Sequence, residues 1–177
     1  MRTARSDRIV FALLAGAAGA ACAAAYGLQH GSASLLPCPY CVLQRYAYLA
    51  IALAAVIGAF DPVRARVHAA IVALLAIAGE SLAAWQVLRG KTMLSCAVDP
   101  VGEFVNGLPM ARWWPDFLMA EGSCADARAA VMGVPIPTAS LALFVALFAV
   151  AGWRACLRPQ PSSPGSSGQA RTPGRAS

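Results

Sequence analysis

The chain has 177 residues, 59% of them hydrophobic and only 12% charged, with a mean hydropathy of +0.61. A soluble domain carries about 25% charged residues, so the shortage of polar surface excludes an ordinary water-soluble globule. The net charge of +6 is spread over the ends of apolar blocks rather than gathered in one patch, which argues against nucleic acid as a partner.

The apolar blocks are rich in alanine and leucine and do not alternate with polar residues, so they predict membrane helices rather than barrel strands. The first, "IVFALLAGAAGAACAAAYGL", covers about residues 9–28 without a charge. At a rise of about 1.5 Å per residue it spans a bilayer core of about 30 Å. A second span is expected over about 42–60, ended by Asp61-Pro62 as helices commonly are. A third covers about 67–88 and a fourth about 134–153. The fold class is therefore an all-α, integral-membrane four-helix bundle occupying residues 1–157. Residues 158–177, rich in Pro, Ser and Gly, are expected to be a disordered tail. The N-terminal run also resembles a signal peptide, with "GAAC" as a loose lipoprotein site at Cys22. It is longer than a signal core, and Gly19 stands where an aliphatic belongs, so it is expected to remain as the first span.

Positive residues orient the spans. Arg2, Arg5 and Arg8 precede the first, Arg64 and Arg66 separate the second and third, and Arg154, Arg158, Arg171 and Arg175 follow the fourth. The connection "QHGSASLLP" has no Lys or Arg, and the long segment 89–133 carries Arg89, Lys91, Arg112 and Arg128 among five acids. The positive-inside rule places both termini and the short middle loop in the cytoplasm. The long outer loop contains "FVNGLPMARWWPDFLMAEGSC", whose tryptophans and few charges predict a membrane-lying segment or an apolar loop packed on the bundle.

Topology sorts the six cysteines. Cys38, Cys41, Cys96 and Cys124 fall on the outer side, while Cys22 and Cys156 are isolated and suit small buried hydrophobes. The outer four could be structural staples, as most extracytoplasmic disulfides are. A metal site is not expected, because Cys96 and Cys124 form no second knuckle beside the one CxxC. A bridge across two intervening residues restricts the unfolded chain little, so a Cys38–Cys41 bond is better suited to being broken and remade. In "LLPCPYCVLQRY", Cys41 opens the second span near the positive end of its dipole, and Arg45 shares its helix face at i+4. Both features favour a thiolate. Arg45 is costly at that depth; either it snorkels to the interface, or it stabilises the Cys41 thiolate and donates to an oxygen-bearing acceptor.

Taken together, the chain resembles the DsbB family of bacterial inner-membrane thiol oxidases. The resemblance rests on four spans with both ends inside, on "LQH" leading into "PCPYC", and on Arg45 four beyond the second cysteine. Two further cysteines in the second outer loop and "RWWPDFLMAEGSCAD" complete it. It implies that a periplasmic DsbA-type dithiol oxidase attacks a Cys96–Cys124 disulfide at Cys96, and that Cys124 then attacks Cys38 of a Cys38–Cys41 bond. Cys41 leaves as a thiolate, and its electrons pass to ubiquinone or menaquinone with Arg45 beside the quinone oxygen. A DsbA-type protein is strongly oxidising, at about −120 mV, so a still more oxidising acceptor such as quinone must drain it. The chain departs from the family in "ESLAAWQVLRGKTM", which offers Gln86, Arg89 and Lys91 where other polar residues are common. It also places Glu80 inside the third span, expected to be protonated or paired within the bundle. A vitamin K epoxide reductase-like protein is a second reading, although its CxxC comes late in the chain. A disulfide-stapled membrane scaffold is a third.

Overall fold

Prolines punctuate the helices of this chain. Pro lacks an N–H and has φ fixed near the helical value, so it fits a first helical turn whose N–H groups have no partner anyway. In a computed structural model describing residues 2–31, 36–89, 100–122, 130–131 and 133–156, α1 is Arg2–His30, α2 Pro39–Phe60 and α3 Ala65–Arg89. Three short helices follow, α4 Pro100–Gly107, α5 Pro109–Trp113 and α6 Pro115–Leu118, and α7 is Ile136–Cys156. Among the described residues, four helices are long and apolar enough to cross a membrane, as the composition requires.

Two boundaries differ from expectation in ways that matter. The second helix starts at Pro39 rather than near residue 42, because Pro39 takes its first position and Cys38, with extended φ −79° and ψ 162°, is its N-cap. The CxxC is thus the cap and first turn of α2. The fourth span begins at Ile136 because Val134 and Pro135 are extended and pair antiparallel with Val131 and Ala130. The residue before a proline disfavours the helical region, and Gly133 turns the chain with φ +83°.

Packing runs α1 on α2, α2 on α3 and α3 on α7. Alanines carry the contacts: Ala18, Ala55, Ala69, Ala76, Ala83 and Ala151 are all buried. Small side chains let helix backbones approach in lipid, where van der Waals contact replaces a hydrophobic drive. Outward, Leu13, Leu53, Leu74 and Leu88 are exposed, as lipid-facing residues should be. A Cβ at Gly79 would overlap the Phe144 ring, and that ring stacks on Tyr48 at 4.2 Å between centroids and 6° between planes. Bare backbone on α3 thereby makes room for an aromatic pair joining α7 to α2.

At the end of the bundle holding the α2–α3 turn, Arg154 pairs with Asp7 and Arg66 Nε donates to the Ala155 carbonyl at 3.2 Å. The opposite end is covered by α4–α6. Val105, Ala111, Phe117 and Leu118 are buried there, while Phe104, Met110, Trp113 and Trp114 stay exposed. The segment therefore packs one face on the bundle and leaves a second apolar face uncovered. Glu80 is half-buried in α3. Cys96, Cys124, Lys91, Arg128 and residues 158–177 lie outside the described residues.

Candidate active site

The cap geometry of α2 brings its two sulfurs together. Cys38 is fully buried, and its sulfur accepts the Cys41 backbone N–H at 3.4 Å. Its thiol in turn donates to Cys41 Sγ at 3.1 Å, about 1 Å beyond the length of a disulfide bond. That donated hydrogen bond, and secondly burial, raise the Cys38 thiol above its ordinary range. The pair is set up as a proton-holding sulfur beside an accepting one.

Arg45 lies one turn further along α2 and is turned inward, only 6% exposed. Snorkelling is thereby excluded. Nη1 donates to Gln29 Oε1 at 2.8 Å and to the Phe117 carbonyl at 2.6 Å, and Nη2 donates to the Ala25 carbonyl at 3.4 Å. The guanidinium also stands 4.8 Å from the centre of the Phe117 ring, a cation–π contact. All of these acceptors are neutral, so the positive charge is solvated by oxygens without being cancelled. Gln29 is itself held by donation from Nε2 to the Asp116 carbonyl at 2.6 Å. Arg45 therefore ties α1, α2 and α6 together. Among the described residues it hydrogen-bonds neither sulfur, and its influence on them is through space.

The direct donor to the sulfurs is a residue that spacing did not single out. Gln86 Nε2 lies 3.3 Å from both Cys38 Sγ and Cys41 Sγ. Its Oε1 accepts from Gln44 Nε2 at 2.9 Å, and Gln44 Oε1 accepts from Ser140 Oγ at 2.7 Å. The signal in the sequence was the presence of an amide in each of two largely apolar helices, where a polar group must find a partner.

Between α1, α2 and α7 lies a cavity of about 350 Å³, within the range of small-molecule sites. Ala21, Ala24 and Leu28 of α1 and Leu143 of α7 make its apolar walls, and Cys41, Gln44, Arg45, Tyr48 and Ser140 its polar ones. The lining suits an apolar molecule that bears carbonyl oxygens, with apolar walls for its body, donors for the oxygens and a sulfur on the same wall.

The chain ahead of Cys124 is anchored beside Cys38. The N–H groups of Glu121 and Gly122 both donate to the Pro37 carbonyl, at 3.1 and 3.0 Å. A Cβ at Gly122 would overlap the Leu36 carbonyl. Asn106 grips Ala120 from both sides: Nδ2 donates to its carbonyl at 3.1 Å, and Oδ1 accepts from its N–H at 2.8 Å. Of the five residues singled out from the sequence, Cys38, Cys41 and Arg45 are thus brought together. Cys96 and Cys124 lie outside the described residues. Among the described residues, no group of three or more His, Cys, Asp or Glu is placed to hold a metal.

Fold and site define a multi-pass membrane protein with a close cysteine pair, one member of which lies on the wall of an intramembrane cavity. A family described as disulfide bond formation protein DsbB matches residues 7–154. The disulfide bond formation protein B of Herminiimonas arsenicoxydans is 40% identical over 71% of this chain and 80% of its own length. Those of Nitrosomonas europaea and Nitrosospira multiformis are 36% and 38% identical, over 83% and 85% of this chain and 93% and 90% of theirs. The chain belongs to the DsbB family. It is accordingly a disulfide oxidoreductase of disulfide bond formation.

Proposed function

We propose that this protein reoxidises a periplasmic DsbA-type dithiol oxidase and passes the electrons to a membrane quinone, ubiquinone or menaquinone. In this reading residues 1–157 are the working unit, residues 158–177 are a cytoplasmic tail, and the active cysteines face the periplasm across the bacterial inner membrane. The arginines at the end of the bundle that joins Asp7 to Arg154 support that orientation. The observation that carries the reading is that Cys41 and Arg45 share the wall of a cavity sunk between membrane helices. A soluble oxidant has no need of such a place, and a lipid-borne one does.

The chain's own residues supply the exchange steps. A thiolate of the partner bonds to Cys96, the Cys96–Cys124 bond breaks, and its electron pair leaves on Cys124. The Cys124 thiolate bonds to Cys38, and the electron pair of the Cys38–Cys41 bond leaves on Cys41. The anchoring of Glu121 and Gly122 on Pro37 starts the chain toward Cys124 at the residue preceding Cys38, which makes this an intramolecular reaction of high effective concentration. The partner's second thiolate then closes its own disulfide and frees Cys96, which attacks Cys124 and releases Cys38. Reclosure of the Cys38–Cys41 bond gives up two electrons. A quinone held by Arg45 supplies the two-electron, two-proton acceptor for that reclosure. The guanidinium, already desolvated and uncancelled, offers charge where negative charge develops on an acceptor oxygen.

Purified protein in lipid nanodiscs tests the reading. With quinone present it should oxidise a reduced DsbA-type dithiol catalytically, and Cys41→Ser should abolish turnover while keeping helix content. A chain that folds and takes up quinone yet leaves the dithiol reduced would be a stapled scaffold.

A further inference from the structure

Gln44 and Gln86 are buried, at 5% and 4% exposure, on two different membrane helices. An unpaired amide there costs several kcal/mol, so each needs its partners. They are met by one directional chain. Tyr48 OH lies 2.9 Å from Ser140 Oγ, Ser140 Oγ donates to Gln44 Oε1, Gln44 Nε2 donates to Gln86 Oε1, and Gln86 Nε2 faces both sulfurs. From Ser140 onward, each link fixes the direction of the next. Ser140 occupies the oxygen of Gln44 and turns its nitrogen toward α3. That nitrogen occupies the oxygen of Gln86 and turns the last amide nitrogen, with its two hydrogens, toward Cys38 and Cys41.

We infer that Gln86 is a catalytic residue of the thiol–disulfide exchange, its amide N–H groups receiving the negative charge that arrives on Cys41 when the Cys38–Cys41 bond opens, with Gln44, Ser140 and Tyr48 as positioning residues that keep the donor end aimed at sulfur. The inference rests on the relay proposed above. In the step concerned, an incoming thiolate bonds to Cys38 Sγ, the Cys38–Cys41 bond breaks, and the electron pair leaves with Cys41. No proton moves, so charge passes from attacker to Cys41, and only donors already in place can hold it. Arg45 contributes through space, while Gln86 touches the sulfur. Favouring the thiolate over the disulfide makes the pair more oxidising, as it must be to draw electrons from a strongly oxidising partner.

The full chain with Cys96 and Cys124 both changed to Ser isolates the Cys38–Cys41 pair for equilibration with dithiothreitol buffers, read by maleimide mass labelling. Gln86→Leu should move the equilibrium constant about tenfold toward the disulfide, which for two electrons is about 30 mV. Gln44→Glu keeps the size but removes the donor to Gln86, so Gln86 turns its nitrogen away from the sulfurs. The potential should then move in the same direction, although the altered atom touches neither sulfur. A wild-type potential in Gln86→Leu overturns the assignment. Should that variant not fold, a wild-type potential in the isosteric Gln86→Glu and in Gln44→Glu overturns it equally. Absence of dithiol oxidation by the unaltered chain overturns the relay instead, and a shifted potential would still stand as a property of the pair.

Discussion

Two arginines near opposite ends of the bundle, Arg45 buried and Arg154 half-buried, show what partner choice does to a charge. Arg154 is paired with the carboxylate of Asp7, which cancels its field and leaves a tether between α1 and α7. Arg45 is held by Gln29, Ala25 and Phe117, all through neutral oxygens. Its hydrogen-bonding need is met, yet its charge is still available to an anion. Desolvating a cation without a counter-ion is expensive, and the fold offsets that cost with three acceptors drawn from α1 and α6. The first arginine is architecture, and the second keeps an uncancelled charge of the kind the proposed mechanism needs.

Exchanging the two roles is the strongest way to break that contrast. Arg45→Met should lower quinone-linked turnover by about 10²–10³-fold, the usual cost of losing a preorganised charge at a reacting oxygen. Arg45→Lys should recover only part of it, because an ammonium keeps the charge but not the planar fork that reaches several acceptors. Arg154→Met should leave turnover within about twofold and cost about 1 kcal/mol of stability. Steady-state oxidation of a reduced partner dithiol and thermal unfolding in the same nanodiscs separate the pair. Equal losses of activity would end the comparison.

The segment that precedes Cys124 gives the next test. Asn106→Ala removes both hydrogen bonds to Ala120, and Gly122→Ala forces the chain off the Leu36 carbonyl. Either change should slow partner-dithiol oxidation about tenfold, in keeping with the sensitivity of intramolecular reactions to small misplacements. Direct reduction of the Cys38–Cys41 pair by dithiothreitol should keep its wild-type rate. At the aromatic joint, Gly79→Ala intrudes on Phe144 and should destabilise by about 1–3 kcal/mol as overpacking does, seen as a lower midpoint of thermal unfolding.

What could be read in advance followed from short-range rules. Hydropathy gave the four spans because the bilayer demands about 20 apolar residues from each. The i+4 relation of Cys41 and Arg45 follows from helix periodicity, and both do line one cavity. The start of α2 was missed by three residues because Pro39 and the capping role of Cys38 outweigh the hydropathy profile. The Gln44–Gln86 pair, 42 residues apart, depends on how α2 and α3 register, which no local pattern encodes. The acceptors of Arg45 at Ala25 and Phe117 are backbone carbonyls, so side-chain identity could not announce them.

The two sulfurs carry a comparison of the same kind as the two arginines, in neighbouring atoms. Cys38 holds its proton because it donates to Cys41 and because it is buried, in that order of weight. A raised value means that its thiolate forms only as the pH climbs beyond the ordinary thiol range of about 8.5, and only the thiolate alkylates. In the reduced chain Cys38 should therefore resist iodoacetamide at pH 8 and label only at higher pH than an ordinary thiol, with Cys41 labelled first. Cys41→Ala removes the acceptor and leaves the burial, so the onset for Cys38 should move down in pH without reaching that of an exposed thiol. The shift should be a few-fold in labelling rate at pH 8.5, readable by peptide mass spectrometry. An unchanged onset would mean that burial alone holds the proton, and that the two sulfurs differ by depth rather than by the bond between them.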